Sequence, residues 1–170
     1  MKIVNYLFLV LSLSTYVTIA QTVDSVKTRA VQVSFFYPIG TSGIDSPMYV
    51  NQYSFNVLSG FSAGVDGLEI GGLANMTNGN VKGGQIGGLS NVVSGDVQGL
   101  QIAGISNLSK SNVEGVQIAG ISSLVKGDVK GLQLSGIASV TNGSFNGVQL
   151  SGVSNMVLKK SHGLQIAGIY

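Results

Sequence analysis

Residues that could do chemistry are few and scattered along this chain. It has one histidine, His162, and no cysteine, which excludes disulfides, thiol catalysis and thiolate metal ligands. Asp66 and Glu114 share one place in an internal repeat, three units apart, and Asp96 and Asp128 share a turn position, two units apart. Acid–base catalysis and metal binding need side chains that converge on one point. We therefore expect no catalytic residue, no metal site and no cofactor.

A 16-residue repeat occupies the C-terminal two thirds of the chain. One glycine series runs from Gly67 to Gly163 at intervals of 16 residues, and a second runs from Gly72 to Gly168 at the same interval. We number each unit from 1 to 16 so that Val97 is position 1, which makes the glycines positions 3 and 8. A period that is constant to the residue predicts a repeat architecture.

Position 5 of the unit is a glutamine in every copy except the first, where it is Glu69. Aliphatic residues at positions 4 and 6 flank it, which is the alternation of a short β-strand. We predict that the apolar positions 1, 4, 6, 9 and 12 are buried and that the glutamines point outward. An outward row of amides is a candidate contact surface for a protein or a glycan, made of Gln85, Gln101, Gln117, Gln133 and Gln149.

The fold predicted from this pattern is all-β: a β-solenoid of stacked 16-residue coils with an N-terminal β cap. A single unit buries too few aliphatic side chains to offset its conformational entropy, so neighbouring units must stack and pair their backbone amides. Stacking aligns equal positions and predicts a ladder of asparagines at position 11, where Asn75, Asn91 and Asn107 lie. The glycines at positions 3 and 8 are then corners that need positive φ or close backbone approach.

The alternative fold is an antiparallel outer-membrane β-barrel, in which each unit is one strand and one turn. The length of the unit suits the roughly 9 to 11 residues of a membrane-spanning strand. Such barrels carry aromatic belts at both membrane interfaces, whereas Phe145 is the only aromatic residue from Val65 to Ile169. Antiparallel neighbours also would not align position 5 with position 5, so the pattern favours the solenoid.

The sequence before the repeats divides into three segments. Residues 1–20 have the features of a signal peptide, because a basic residue precedes an apolar run and small residues predict cleavage after Ala20. Residues 21–30 are polar and are predicted to be a flexible lead-in. Two alternating stretches within residues 31–60 predict strands that form the N-terminal β cap, and the repeat domain fills residues 61–170.

The composition excludes several classes of protein. Glycine accounts for 25 of the 170 residues, but the glycines do not fall at every third residue, which rules out collagen. Hydrophobic residues make up 44% and the net charge is +2, whereas disordered chains combine low hydrophobicity with high net charge. The basic residues form no stripe that would bind phosphates, so no nucleic-acid partner is expected.

The mature part of the chain resembles a family of exported proteins. The aromatic opening VSFFYPIGTSGIDSPMYVNQYSFNVLSG is followed by units of the form VxGLQIAGISN, and this combination is similar to the bacterial surface-repeat family of Gram-negative bacteria and spirochaetes. Members often continue into further strands after their repeats, whereas this chain ends at Tyr170 inside a unit, so we expect a truncated C-terminal part. The resemblance covers about residues 31–170 and implies a cell-surface or outer-membrane location with no established activity.

These features predict a non-enzymatic bacterial cell-surface or structural repeat protein. Its expected role is adhesion, or contact with a protein or glycan partner, and association with a membrane is compatible with the export signal. The alternative function follows from the barrel fold and is that of an outer-membrane channel or anchor.

Overall fold

The computed structural model describes residues 26–168 of the chain. The predicted signal peptide, residues 1–20, lies outside these described residues, as does the first half of the predicted lead-in. The described part contains 17 strands and one 3-10 helix, Gly43–Met48. The strands are β1 (Lys27–Phe36), β2 (Ile39–Gly40), β3 (Tyr49–Asn56), β4 (Ser59–Ser62), β5 (Gly64–Gly71), β6 (Ala74–Thr77), β7 (Val81–Gly87), β8 (Ser90–Val93), β9 (Val97–Ala103), β10 (Ser106–Ser109), β11 (Val113–Ala119), β12 (Ser122–Val125), β13 (Val129–Ser135), β14 (Ala138–Thr141), β15 (Phe145–Ser151), β16 (Ser154–Val157) and β17 (Ser161–Ala167).

Each coil contributes one long strand and one short strand to two facing sheets. The long strands form a 10-stranded sheet in the order β17-β15-β13-β11-β9-β7-β5-β3-β1-β2, and the short strands form a 7-stranded sheet in the order β16-β14-β12-β10-β8-β6-β4. Neighbouring repeat strands are parallel and in register, so Gln117 lies opposite Gln101 on one side and Gln133 on the other. The predicted β-solenoid is confirmed. The alternative antiparallel barrel is wrong, because successive strands alternate between two parallel sheets.

The N-terminal cap consists of less regular coils of the same stack. Strand β1 pairs in parallel with β3, and the 3-10 helix lies in the connection between them. Strand β2 pairs antiparallel with the end of β1 and covers that part of the sheet edge. Residues 27–30 belong to β1 and not to a flexible lead-in, because their backbone pairs with β3 and the Arg29 guanidinium stacks 4.5 Å from the ring centroid of Tyr49.

The inward and outward faces of the coil differ from the prediction. Positions 1, 5, 7, 11 and 13 are buried between the two sheets, whereas positions 4, 6, 9 and 12 face outward. Gln101 is fully buried, for example, and Ile105 is 41% exposed. The predicted burial is therefore confirmed at position 1 and wrong at the other four positions. In a strand, residues two apart share a face, so the buried valine at position 1 places the glutamine at position 5 inside.

The interior has an apolar half and a polar half. The polar half holds the amides of position 5 together with small or polar residues at positions 7 and 11. The apolar half is a column in which position 1 packs against the valines that occupy position 13 in alternate coils. Its members are Val65, Val81, Val93, Val97, Val113, Val125, Val129 and Phe145, with Val157 packed against them. Most of the larger aliphatic side chains lie outside this column.

The close stacking of coils fixes two glycine positions in each unit. At position 3, Gly115 has a φ of +139°, and a Cβ there would lie 2.0 Å from the carbonyl oxygen of Gly99. At position 8, a Cβ on Gly120 would lie 2.0 Å from the carbonyl oxygen of Gly104. Both predicted requirements, positive φ and close backbone approach, are confirmed. Position 3 lies within the long strand, however, and only position 8 is at a corner.

Gly115→Ala is expected to lower the free energy of unfolding by more than about 2 kcal/mol, because an L-residue is strained at this φ and its Cβ would press on the preceding coil. The matched control is Gly84→Ala in another long strand, where the nearest atom to an added Cβ is Cδ1 of the flexible Leu68 side chain at 3.0 Å. Urea unfolding followed by circular dichroism measures both variants. Equal losses in the two would contradict the role of position 3.

Candidate functional site

The five glutamines predicted as a contact surface point into the coil. Their side chains have no exposed surface, so the prediction that they contact a protein or a glycan is wrong: Gln85, Gln101, Gln117, Gln133 and Gln149 are each 0% exposed. The long strand carries them on its inner face beside the valine of position 1. Their expected stacking is present, because equal positions pair in parallel register at the usual strand spacing of about 4.8 Å.

The buried glutamines form a continuous hydrogen-bonded ladder along the axis of the stack. Each Nε2 donates to the side-chain oxygen of the glutamine one coil earlier, at 2.7 to 2.9 Å. All these bonds point the same way, so each bond polarises the next. An amide buried without a partner costs about 1 to 3 kcal/mol. The ladder avoids that cost at every coil.

In alternate coils, a hydroxyl group at position 13 forms hydrogen bonds with the glutamine ladder. Oγ of Ser109 donates to Oε1 of Gln101 at 3.1 Å and accepts from Nε2 of Gln117 at 3.0 Å. Thr77 and Thr141 occupy the same position, and the coils between carry valine there. Position 13 therefore serves the polar ladder in one coil and the valine column in the next.

A second amide ladder, at position 11, runs in the opposite direction. Nδ2 of Asn75 donates to Oδ1 of Asn91 at 3.0 Å, and Nδ2 of Asn91 donates to Oδ1 of Asn107 at 2.9 Å. Each Nδ2 also donates to a backbone carbonyl of the following coil, as Asn91 does to Ile102 at 2.8 Å. The predicted asparagine ladder is confirmed. Where serine replaces asparagine, a chain of hydroxyls continues the contacts through Ser123, Ser135, Ser139 and Ser151.

Glu69 lies at the N-terminal end of the glutamine ladder, where donors approach it from two sides. Its Oε2 accepts from Nε2 of Gln85 at 2.8 Å and from Oγ1 of Thr77 at 3.2 Å, and its Oε1 accepts from Nδ2 of Asn56 at 3.2 Å. A glutamine here would turn its own N–H groups toward one of these donors, which accounts for an acid in the first unit. Burial raises the pKa of the Glu69 carboxyl, and hydrogen bonds from Gln85, Thr77, Asn56 and Ser54 oppose the rise.

A third ladder holds the loops at positions 14 to 16 together on the outside of the stack. Oδ1 of Asn80 accepts the backbone N–H of Asp96 at 2.9 Å, and Oδ1 of Asp96 accepts the backbone N–H of Asn112 at 3.0 Å. Hydrogen bonds from the Ser111 hydroxyl and the Asn112 backbone lower the pKa of Asp96. Asp128 accepts the equivalent bond two loops after Asp96. Both aspartates therefore have a structural role in the turns.

The remaining side chains that could take part in catalysis or metal binding do not form a cluster in the structure. Asp66 and Glu114 lie on the outer face of the long-strand sheet, and Glu114 pairs with Lys130 at 2.8 Å. His162 is exposed on β17. Among residues 26–168 no three histidine or carboxylate side chains are close enough to hold a metal ion. In that same part of the chain, no helix has the length and apolar character needed to span a membrane. That the chain has no enzymatic activity and no cofactor stays a prediction.

Aliphatic side chains line the outside of every coil. Positions 4 and 6 form two rows on the long-strand sheet, position 9 forms a row at the turn, and position 12 forms a row on the short-strand sheet. We call these four rows the outer wall and name each row by its position in the unit, so that row 4 is the row of position 4. At position 9 the exposed fractions are 43% for Leu89, 41% for Ile105, 42% for Ile121 and 47% for Ile137. The packing of the coil itself does not explain why the outer wall is apolar.

The outer wall continues across the N-terminal cap, where its side chains become aromatic. Tyr53 pairs in register with Leu68, and Phe55 pairs with Ile70. These aromatic residues remain 50% and 43% exposed, respectively. Exposed valines of β1 extend the same two rows by one more strand. The apolar surface is therefore continuous from the cap to the last described coil.

The charged side chains of the repeats, apart from the buried Glu69, lie on the rest of the circumference, at positions 2 and 14 to 16. We call this surface the polar edge. Exposed lysines border the outer wall on both sides: Lys82 and Lys130 at position 2 precede row 4 by two residues, and Lys110 and Lys126 at position 14 follow row 12 by two residues. The coil is thus amphipathic in cross-section.

Sequence reasoning missed the outer wall, although a signal for it was present. Position 7, two residues after the glutamine, is always glycine, alanine or serine, as in Ala103 and Ala119. Small residues on the same face of a strand as the glutamine indicate a confined interior rather than an open surface. Together with the valine of position 1, they point the glutamines inward and the isoleucines outward.

Gln117→Met keeps the length of the side chain but removes the acceptor for Nε2 of Gln133 and the donor to Oε1 of Gln101. We expect the free energy of unfolding to fall by about 1 to 3 kcal/mol, the cost of leaving a buried amide unpaired. The matched control, Gln98→Met, changes an exposed glutamine on the preceding coil and is expected to cost less than about 0.5 kcal/mol. Chemical denaturation measures both, and a loss at Gln98 as large as at Gln117 would refute the ladder's contribution.

Glu69 is expected to make stability depend on pH. Because its pKa in the folded chain is raised above the usual 4.5, its contribution is fully present below that value and is lost as the pH rises through the folded pKa. As the pH rises from 4.5 to the folded pKa, the free energy of unfolding of the wild type should therefore fall relative to that of Glu69→Gln. Above the folded pKa the difference should level off. Urea midpoints across a pH series measure it. Asp66→Asn, an exposed carboxylate on the same coil, is the control and should keep the wild-type trend.

The chain matches no protein-family model, no curated protein and no solved structure. The resemblance to the bacterial surface-repeat family therefore stays a prediction from the sequence.

Proposed function

We propose that this chain is a non-enzymatic structural repeat protein of the bacterial cell surface, which contacts its partner through the outer wall. The observation that carries the proposal is the outer wall itself, in which exposed aliphatic side chains recur on every coil. Monomeric soluble proteins rarely expose a contiguous apolar surface of this extent, and such surfaces mark sites of interaction.

The interior of the stack supports the same role. The glutamine and asparagine ladders hold each coil in register with the next, so the side chains of the outer wall form straight rows at the spacing of the strands. A repetitive rod of this kind offers an extended binding surface. Glu114 is paired with Lys130, and Asp96 and Asp128 accept backbone N–H groups of the turns, which favours a structural protein over a hydrolase that needs a free acid and a free base in one site.

The proposed location rests on the sequence. Residues 1–20 carry the features of a signal peptide, and the family resemblance implies a cell-surface or outer-membrane address. The absence of cysteine is compatible with any redox compartment. Contact with a protein or glycan partner remains part of the proposal, with the outer wall or polar edge in place of the buried glutamines.

The proposal is tested by labelling intact bacteria that express the full chain with a membrane-impermeant, amine-reactive biotin reagent. Exposed lysines such as Lys110 and Lys126 should react on intact cells, and mass spectrometry should show an N-terminus after Ala20. A chain that lacks residues 1–20 is the matched control and should react only after lysis. If the full chain also reacts only after lysis, the proposed surface location is wrong.

A further inference from the structure

We propose that the outer wall docks on the hydrocarbon surface of a lipid bilayer, with the polar edge turned toward water. This inference rests on the proposed function and names the partner of the outer wall as lipid. It follows from the shape of the apolar surface, from the side chains that form it and from the cations that border it.

The shape of the outer wall favours a deformable partner. Rows 4 and 6 lie on the outer face of one sheet, row 12 lies on the outer face of the opposite sheet, and row 9 lies on the turn between them. The apolar surface is therefore convex and covers three sides of the coil. A second copy of the chain, or a rigid protein, would cover one flat side and leave the others in water. Fluid hydrocarbon can cover all three sides together.

The side chains of the outer wall also suit lipid better than protein. In the repeats they are leucine, isoleucine, valine and methionine, and the one aromatic residue there, Phe145, is buried in the valine column. Anchor residues of protein interfaces are typically tryptophan, tyrosine and arginine. The backbone amides behind the outer wall are paired within the two sheets, so hydrocarbon would meet no unpaired backbone amides there.

Groups that suit the headgroup region lie at the borders of the outer wall. The lysines of position 14, Lys110 and Lys126, are exposed beside row 12, whereas beside row 4 the exposed Lys82 shares position 2 with the carboxylates Asp66 and Glu114. A lysine can lay its methylene stem along apolar surface while its ammonium group reaches anionic headgroups. At the cap, the half-exposed Tyr53 supplies an aromatic ring with a polar tip, which is typical of membrane interfaces.

An apolar groove on the outer wall has the form of a site for an extended acyl chain. It runs across four successive coils at the glycine corner of position 8, beside the row of position 6. The groove is lined by Ala119, Leu134, Gly136, Leu150, Gly152 and Ile166. The lining is mainly aliphatic, with Ser135 and Ser151 as its polar members, and the absence of side chains at the corner glycines keeps the groove open along the axis.

The absence of cysteine allows a test that reports on one face at a time. Ile121→Cys places a thiol on the outer wall, and Gln98→Cys, the matched control, places one on the polar edge of a neighbouring coil. Each full-length variant is labelled with a polarity-sensitive fluorophore and mixed with vesicles of phosphatidylethanolamine and phosphatidylglycerol, some of which carry nitroxide groups on their acyl chains. Circular dichroism verifies that both labelled variants keep their β-structure, and Ile105→Cys replaces Ile121→Cys on the outer wall if that variant loses it.

The expected result is specific to the outer wall. The label at residue 121 should shift to the blue and be quenched by the acyl-chain nitroxides, whereas the label at residue 98 should keep its spectrum in water. Omitting phosphatidylglycerol or adding salt should weaken the response, since exposed lysines then lose their anionic partners. A face-specific readout is needed because the apolar segment within residues 1–20 could itself bring the whole chain to vesicles.

Three results would overturn the inference. The label at residue 121 could stay in water, both labels could respond equally, or the label at residue 121 could shift without vesicles while the chain elutes as a dimer. The last result would assign the outer wall to a second copy of the chain. Each of these leaves the surface labelling of intact cells unaffected, so failure of lipid docking is distinguishable from failure of the proposed location.

Discussion

The hydrogen bond from one glutamine amide to the same amide in the preceding coil is the interaction on which the rest of the structure depends. It forms only when neighbouring coils are parallel and in register, as Gln117 and Gln101 are. A slip of one residue would bring an aliphatic side chain to the inner face and leave the buried amides without partners. The ladder therefore selects one alignment, and that alignment in turn places the valine column, the asparagine ladder and the glycine contacts.

The sequence predicts the parts of the fold that depend on spacing alone. A constant period with glutamines in phase requires parallel stacking, and the asparagine ladder and the two glycine positions follow from it. Which face of the strand points inward does not follow, because the alternation shows only that Ile102 and Gln101 lie on opposite faces. The rule that apolar residues lie inside gives the wrong direction here. A buried amide needs a partner, and within one unit none is evident, since the partner is the same residue one coil away.

This arrangement separates the groups that specify the structure from the groups that are most hydrophobic. Fully satisfied polar networks make an interior rigid and unique, but each hydrogen bond contributes little net stability because it replaces a bond to water. The valine column is the only apolar core of the repeats in the described residues. Leucine and isoleucine, which contribute most when buried, lie on the outer wall. The candidate contact surface is therefore made of residues that sequence reasoning assigns to the core.

The proposed function couples folding to contact with a partner. An unfolded repeat would present its isoleucines singly, whereas the stacked coils present them as contiguous rows, so a partner that needs a broad apolar surface binds the folded state in preference. Binding of that kind stabilises the fold in proportion to its differential affinity for the folded state. The two ladders supply the register, and in the proposed function the outer wall, once covered by its partner, supplies the hydrophobic contribution that most proteins obtain from their interior. The glutamine at position 5 thus acts on the contact surface indirectly, by facing inward and holding Ile102 and its equivalents in line.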